Sequence, residues 1–275
     1  MRLRCRLCAA FVAAFSLAGL AVPATGAMAA KRQVIGHSVQ GRPIVSVRSG
    51  ADDAALKVLV VGAIHGNETA GMRIARRLIR AGAPRGAELT VVPTINPDGV
   101  AAGTRGNAHG VDLNRNFPYD WRPLGAGEYS GTGPLSEPES RAARQLILDE
   151  RPDVTIWFHQ PFGLIDRPRG NPFAARRFSE LIGLPLHHLP GPYPGSASRW
   201  QNHTFPQSTA FVAELPPSVT PSLIRRGTTA VLDLASELAS PDVRPHRRVA
   251  TIGRTLPVGR APDRRQDPPA GGPRP

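Results

Sequence analysis

Three apolar runs in this chain each end on a side chain able to bind a metal or move a proton. Lys57-Val58-Leu59-Val60-Val61 leads through Gly62-Ala63-Ile64 into His65 and Glu68, Asp153 to Phe158 ends on His159, and Ser208 to Ala213 ends on Glu214. Short runs without polar alternation suit strands covered on both faces, as in parallel sheets with helices on either side. Helical patterns separate them. Met72, Ile74, Ala75, Leu78 and Ile79 keep mostly helical spacing up to Gly82, and a final helix is expected from about Pro221 to Leu238. Another is expected from Ser136 to about Glu150, with Ser136 as N-cap and Glu139 completing a capping box. A hairpin turning at Gln40-Gly41-Arg42-Pro43 precedes these elements, and Leu89 to Ile95 reads as a further strand. The alternation predicts a single α/β domain. Its central sheet should be mixed and mostly parallel, flanked by helices, with its site beyond the strand ends.

The rest of the chain reads as a leader and a tail. Residues 1–30 combine Arg2, Arg4 and Arg6, an apolar stretch from Ala9 to Val22, and small residues at Ala27 to Ala30. That is the pattern of a secretory signal peptide. Fourteen apolar residues would span roughly 20 Å as a helix, short of the ~30 Å hydrocarbon core, so no stable membrane insertion is expected once it is cleaved. A secreted, extracytoplasmic location follows as an expectation. Residues 31–240 form the expected catalytic domain. Residues 241–275 hold many Pro, Arg and Gly and few apolar side chains, too little to offset the entropy of ordering, and are expected to be a disordered tail.

Charge and cysteine narrow the chemistry. The formal net charge is +13, but residues 31–240 carry 23 Lys or Arg against 18 Asp or Glu, a net of +5, with no basic run beyond short pairs such as Arg76-Arg77. No specific nucleic-acid partner is expected. Both cysteines, Cys5 and Cys8, lie in the leader. The mature chain would have no disulfide, cysteine nucleophile or thiolate metal site, so any metal must be held by His, Asp and Glu.

His65, Glu68 and His159 supply two imidazoles and a carboxylate, the ligand set of a catalytic zinc site with an open fourth position. Zinc lowers the pKa of a bound water, and a carboxylate such as Glu214 could take the proton and pass it to a leaving amine. Taken singly each signal is weak, since His-x-x-Glu arises often by chance. Asn96 to Leu135 is a long stretch rich in Gly, Asn and Pro, and connections of that length in a compact domain are usually functional.

Within it the likeness becomes specific. Gly62-Ala63-Ile64-His65-Gly66-Asn67-Glu68, Asn96-Pro97-Asp98-Gly99, Thr104-Arg105-Gly106-Asn107 through Asp112-Leu113-Asn114-Arg115-Asn116-Phe117-Pro118, and Ala213-Glu214-Leu215-Pro216 together resemble the zinc carboxypeptidase family. The Gly195-Ser196 to Trp200 pattern resembles its murein peptide amidase branch, which cuts peptidoglycan-derived peptides before meso-diaminopimelate. The resemblance implies one zinc on His65, Glu68 and His159, Glu214 as general acid/base, and Arg105 stabilising the oxyanion. It also implies that Asn114 and Arg115 hold the substrate's terminal carboxylate. A planar guanidinium matches a carboxylate, and a cation beside the scissile carbonyl suits the developing charge. The digestive enzymes' capping tyrosine has no counterpart in register; Tyr193 lies nearby.

The expected function is hydrolysis of cell-wall-type peptides by attack of water activated by zinc. The alternatives are a general protein carboxypeptidase, an N-acyl amino acid deacylase, and a non-catalytic protein binding cell wall or another anionic polymer. Asp166 is a candidate for recognising a substrate amine, and His109 and His203 for touching substrate.

Overall fold

The computed structural model describes residues 30–125 and 127–241; the expected signal peptide and nearly all of the expected tail lie outside the described residues. The elements are β1 (Lys31–His37), β2 (Pro43–Ser49), β3 (Leu56–Val61), α1 (Ala70–Ala81), β4 (Ala87–Val92), α2 (Pro97–Ala102), a 3₁₀ turn (Leu113–Arg115), α3 (Pro138–Glu150), β5 (Val154–His159), β6 (Leu164–Asp166), α4 (Phe173–Ile182), β7 (Leu186–His187), α5 (Ala197–Thr204), β8 (Thr209–Glu214) and α6 (Pro221–Ala239).

Eight strands form one sheet in the order β1-β2-β4-β3-β5-β8-β6-β7. β4, β3, β5 and β8 run parallel; β1 pairs antiparallel with β2 and β2 with β4 on one side, and on the other β6 pairs antiparallel with β8 and parallel with β7. The expected mixed sheet is therefore present, with its parallel strands in the middle.

Alternation along those strands builds two cores. Val58 and Val60 of β3, Ile156 and Phe158 of β5, and Phe211 and Ala213 of β8 face α1, α4 and α6. Leu59 and Val61, Trp157 and Val212 face the opposite side, against α3, α5 and the long loop. Both faces are covered, which is why these strands read as unbroken apolar runs.

Two expected boundaries move. β4 stops at Val92 because Pro93 has no N–H to donate to a ladder. α3 starts at Pro138 rather than beside Ser136, and the expected capping box does not form. The Ser136 hydroxyl donates to Glu137 Oε1 instead, while buried Glu139 accepts from Val39 N at 3.0 Å and Asn107 Nδ2 at 3.0 Å. Tertiary partners captured both side chains.

The long connection is ordered by asparagines acting as hubs. Asn96 accepts from Gly99 N and caps α2; Asn107 Oδ1 accepts from His109 N and Val111 N. Asn116 Nδ2 donates to Ser130 O and Gly133 O. The β3–α1 turn crosses α2 with no room to spare, since a Cβ on Gly66 would lie 1.9 Å from the Gly99 carbonyl carbon. We expect Gly66→Ala to cost about 1–3 kcal/mol, the usual range for overpacking against a backbone that cannot yield. A thermal melt with an unchanged midpoint would show the crossing to be slack.

Candidate active site

β3, β5 and β8 are neighbours and parallel, so their carboxyl ends open on one edge of the sheet. From β3 the chain passes to β4 on one side and later to β5 on the other. Such a reversal leaves a crevice beyond the strand ends. His65 and Glu68 occupy the turn leaving β3, His159 is the last residue of β5, and Glu214 is the last of β8, opposite His159 in register. All four side chains are buried.

The geometry centres on Glu68. Its Oε1 lies 2.9 Å from His65 Nδ1 and its Oε2 3.0 Å from His159 Nδ1. One ligating atom from each of these three residues lies within 4.8 Å of the others. The outer ring nitrogens are engaged elsewhere: His65 Nε2 is 2.8 Å from Asp112 Oδ1, and His159 Nε2 is 3.4 Å from Asn114 Nδ2. Both Nδ1 atoms are thus the inward donors. A carboxylate behind a ligating imidazole fixes its tautomer and strengthens it as a donor, so the set fits a divalent zinc ion.

The acids divide by environment. Burial pushes Glu68 upward, but hydrogen bonds from His159 and His65 and their charge outweigh it, holding the carboxyl below the usual range. Burial likewise raises Asp112, but the charge and hydrogen bond of His65, with Arg105 and Arg115, outweigh it and hold this carboxyl below its usual range too. Glu214 goes the other way. Burial first, then the Glu68 charge, push it up to about 7. Its Oε2 is buried without a hydrogen-bond partner among the described residues.

Arg105 reaches the same centre, with Nη1 3.0 Å from Glu68 Oε1 and Nε 3.0 Å from Asp112 Oδ2. The Asn114 backbone N–H donates to Asp112 Oδ1 at 2.8 Å, and its side-chain oxygen accepts from Ala197 N at 3.0 Å. Buried Arg115 donates to Asn114 O and pairs with Glu128. Arg105, Asn114, Arg115 and Glu128 line one cleft of about 660 Å³ together with His65, Glu68, His159 and Glu214. The expected metal, acid/base, oxyanion and carboxylate-binding residues all line it.

A zinc carboxypeptidase family model matches residues 26–172, over half of the chain. The chain belongs to the zinc carboxypeptidase family. It is 32% identical to murein peptide amidase A of Escherichia coli K12 over 180 residues, covering 60% of this chain and 74% of that one. The Vibrio campbellii protein of the same name is 29% identical over 197 residues, covering 66% and 78%. The crystal structure of murein-tripeptide amidase MpaA from Escherichia coli O157 aligns with a TM-score of 0.63 and 27% identity, covering 76% of this chain and 93% of that one. Carboxypeptidase A from Helicoverpa armigera aligns with a TM-score of 0.65 at 19% identity, which shows the fold. Zinc is the metal of this family, and His65, Glu68 and His159 are the group that could hold one ion among the described residues.

Several residues in or behind the cleft carry no local signal of their role. Asp112 stands inside the matched string, yet nothing in its spacing marks it as the partner of His65 across 47 residues. Tyr193, out of register in sequence, nonetheless lines the cleft, with the Arg115 guanidinium 5.1 Å from its ring centroid. Asp166 does line the cleft, joined by Arg199. His109 instead pairs with Glu137 at 2.8 Å, and His203 stacks on Tyr119 in an adjoining chamber. For this family member we expect Asp112→Asn to weaken zinc binding roughly 10–100-fold while leaving the fold intact. Competition with a chelating dye measures this, and unaltered affinity would remove Asp112 from any role in tuning the metal site.

Proposed function

We propose that this chain is a zinc-dependent peptide amidase that removes a carboxyl-terminal diaminopimelate from cell-wall-derived peptides. The observation that carries the hydrolytic reading is the convergence of two inward Nδ1 donors, a carboxylate and the orphaned Glu214 oxygen in one cleft with Arg105. When bound by His65, Glu68 and His159, zinc supplies Lewis-acid activation of water and carbonyl. Glu214 then accepts the proton from the attacking water and delivers it to the departing amine, a transfer favoured by a pKa near the working pH. Arg105 provides positive charge beside the developing oxyanion. Asn114 and Arg115 bind the terminal carboxylate, which replaces Glu128 as the partner of Arg115.

The finer substrate assignment rests on the relatives and on charge in the cleft. Asp166 and Arg199 both line it, and a side chain ending in an amine and a carboxylate offers each an opposite partner. The extracytoplasmic setting rests on the N-terminal pattern of Arg2, Arg4 and Arg6 before an apolar stretch.

Hydrolysis of L-Ala-γ-D-Glu-meso-diaminopimelate, with metal content measured on the same sample, tests the proposal. Release of diaminopimelate, abolished by chelator and restored by zinc, is expected. Cleavage confined to ordinary carboxyl-terminal peptides would overturn the cell-wall assignment. We expect Glu214→Gln to keep one zinc per chain while turnover falls roughly 10²–10⁴-fold; a fully active variant would remove Glu214 from the chemistry. The pH profile has a defined sign. Glu214 acts as a base only when ionised, and its folded pKa is raised, so kcat/KM should fall as pH drops through it. A dication nearby favours the ionised form, so the acid limb should lie between about 4.3 and 7. A flat profile across that window would contradict the role.

A further inference from the structure

A cluster of exposed basic side chains lies away from the cleft. Arg73, Arg76, Arg77 and Arg80 of α1 and Arg225 of α6 line a groove of about 260 Å³, floored by Ile224 and Pro221. All five arginines are exposed, and among the described residues none of them makes an ion pair. Residues 31–240 have a net charge of +5, so these five side chains equal the whole excess and the remainder balances.

The arrangement works against the helix that carries it. Arg73 faces Arg76 and Arg77 at spacings of three and four, and Arg80 faces Arg77 and Arg76 in the same way. Like charges at these spacings repel and destabilise a helix. No acid lines the groove to offset them. The stripe runs from Arg73 to Arg80, a rise of about 10.5 Å along α1. It begins five residues after Glu68, near the catalytic edge, and runs away from it.

We infer that this groove docks a linear, flexible polyol-phosphate polymer, whose phosphates take the place of the missing acids. Guanidinium groups match phosphate oxygens through paired N–H donors. The groove reads charge alone. It has no aromatic side chain on which nucleic-acid bases could stack, as single-strand binding grooves have. It also lacks the exposed apolar side chains with which a surface-bound protein enters a bilayer, since Val34, Tyr129, Phe162 and Phe173 are not part of it. A polymer held there would keep the cleft close to the material that carries it. The inference stands on the groove and does not depend on the peptide substrate proposed above.

Binding of the full chain to poly(glycerol phosphate), titrated against salt, tests it without any reading of hydrolysis. Log K should fall with log salt at roughly −0.7 per contacted phosphate, or about −3 to −4 for five arginines. Arg76→Glu with Arg77→Glu should lower affinity by about tenfold or more and flatten the slope by about 0.7 for each phosphate left without its arginine. Arg32→Glu with Arg122→Glu, which changes net charge equally at two exposed positions elsewhere, should leave most of the binding. A thermal melt confirms folding of each variant, and Arg76→Gln with Arg77→Gln is the milder substitute if the reversal unfolds. Equal weakening by both pairs would overturn the groove as the site. Tighter binding to single-stranded DNA of matched charge, or to anionic phospholipid vesicles, would overturn the assigned polymer, and absence of binding at low salt would overturn the inference altogether.

Discussion

The buried Glu68 carboxylate is the knot that ties the catalytic edge together. It takes hydrogen bonds from the turn after β3 through His65, from the end of β5 through His159, and from the long loop through Arg105. The backbone N–H of Gln160 adds another at 3.1 Å. A carboxylate out of water is costly unless it is paired and its lone pairs are used. Here that condition is met only when three distant segments meet. The same convergence that makes the buried charge tolerable sets two imidazole nitrogens at metal-binding distance from it. Asp112 does the corresponding work one layer out, holding His65, Arg105 and the Asn114 backbone with its two oxygens.

Environment then separates carboxylates of the same kind into different roles. Glu68 and Glu214 both lie beyond strand ends and both are buried. Glu68 has cationic and N–H partners, so it stays ionised. Glu214 has the Phe162 backbone N–H and an orphaned oxygen, so burial and the neighbouring charge of Glu68 raise it. A carboxyl held down beside a carboxyl pushed up suits the proposed division between holding an ion and moving a proton.

Precision comes from segments with little regular structure. Gly195, at a φ of +67, lets the chain press against the Arg115 carbonyl, where a Cβ would sit 2.2 Å from its oxygen. Phe117 N donates to Gly195 O, and Ala197 N donates to Asn114 Oδ1. The loop bearing Asn114 and Arg115 is thereby latched to the start of α5, and a wall of the cleft becomes as fixed as the strands. Buried Asp98 does similar work on the other side, accepting from Ser38 Oγ, Gln40 N and Arg42.

Much of this is legible in the residues alone. Unbroken apolar runs mark β3, β5 and β8 because a strand covered on both faces has no polar side to show. His65 just past β3, and His159 and Glu214 at the ends of β5 and β8, stand out because such side chains beyond strand ends face crevices. The loop strings add Arg105, Asn114 and Arg115. What stays hidden depends on pairing across the fold. Asp112 behind His65, Glu139 drawn from its helix cap to Asn107, and Tyr193 over Arg115 join residues 32 to 78 positions apart. α4 and α5 are likewise absent from the predicted elements, although Ala174, Ala175, Phe178 and Ile182 keep a helical face. Local sequence determines which segments must be buried and which chemical groups they carry. Only the order of strands in the sheet decides which groups meet, because sequence periodicity specifies a face but not its neighbour.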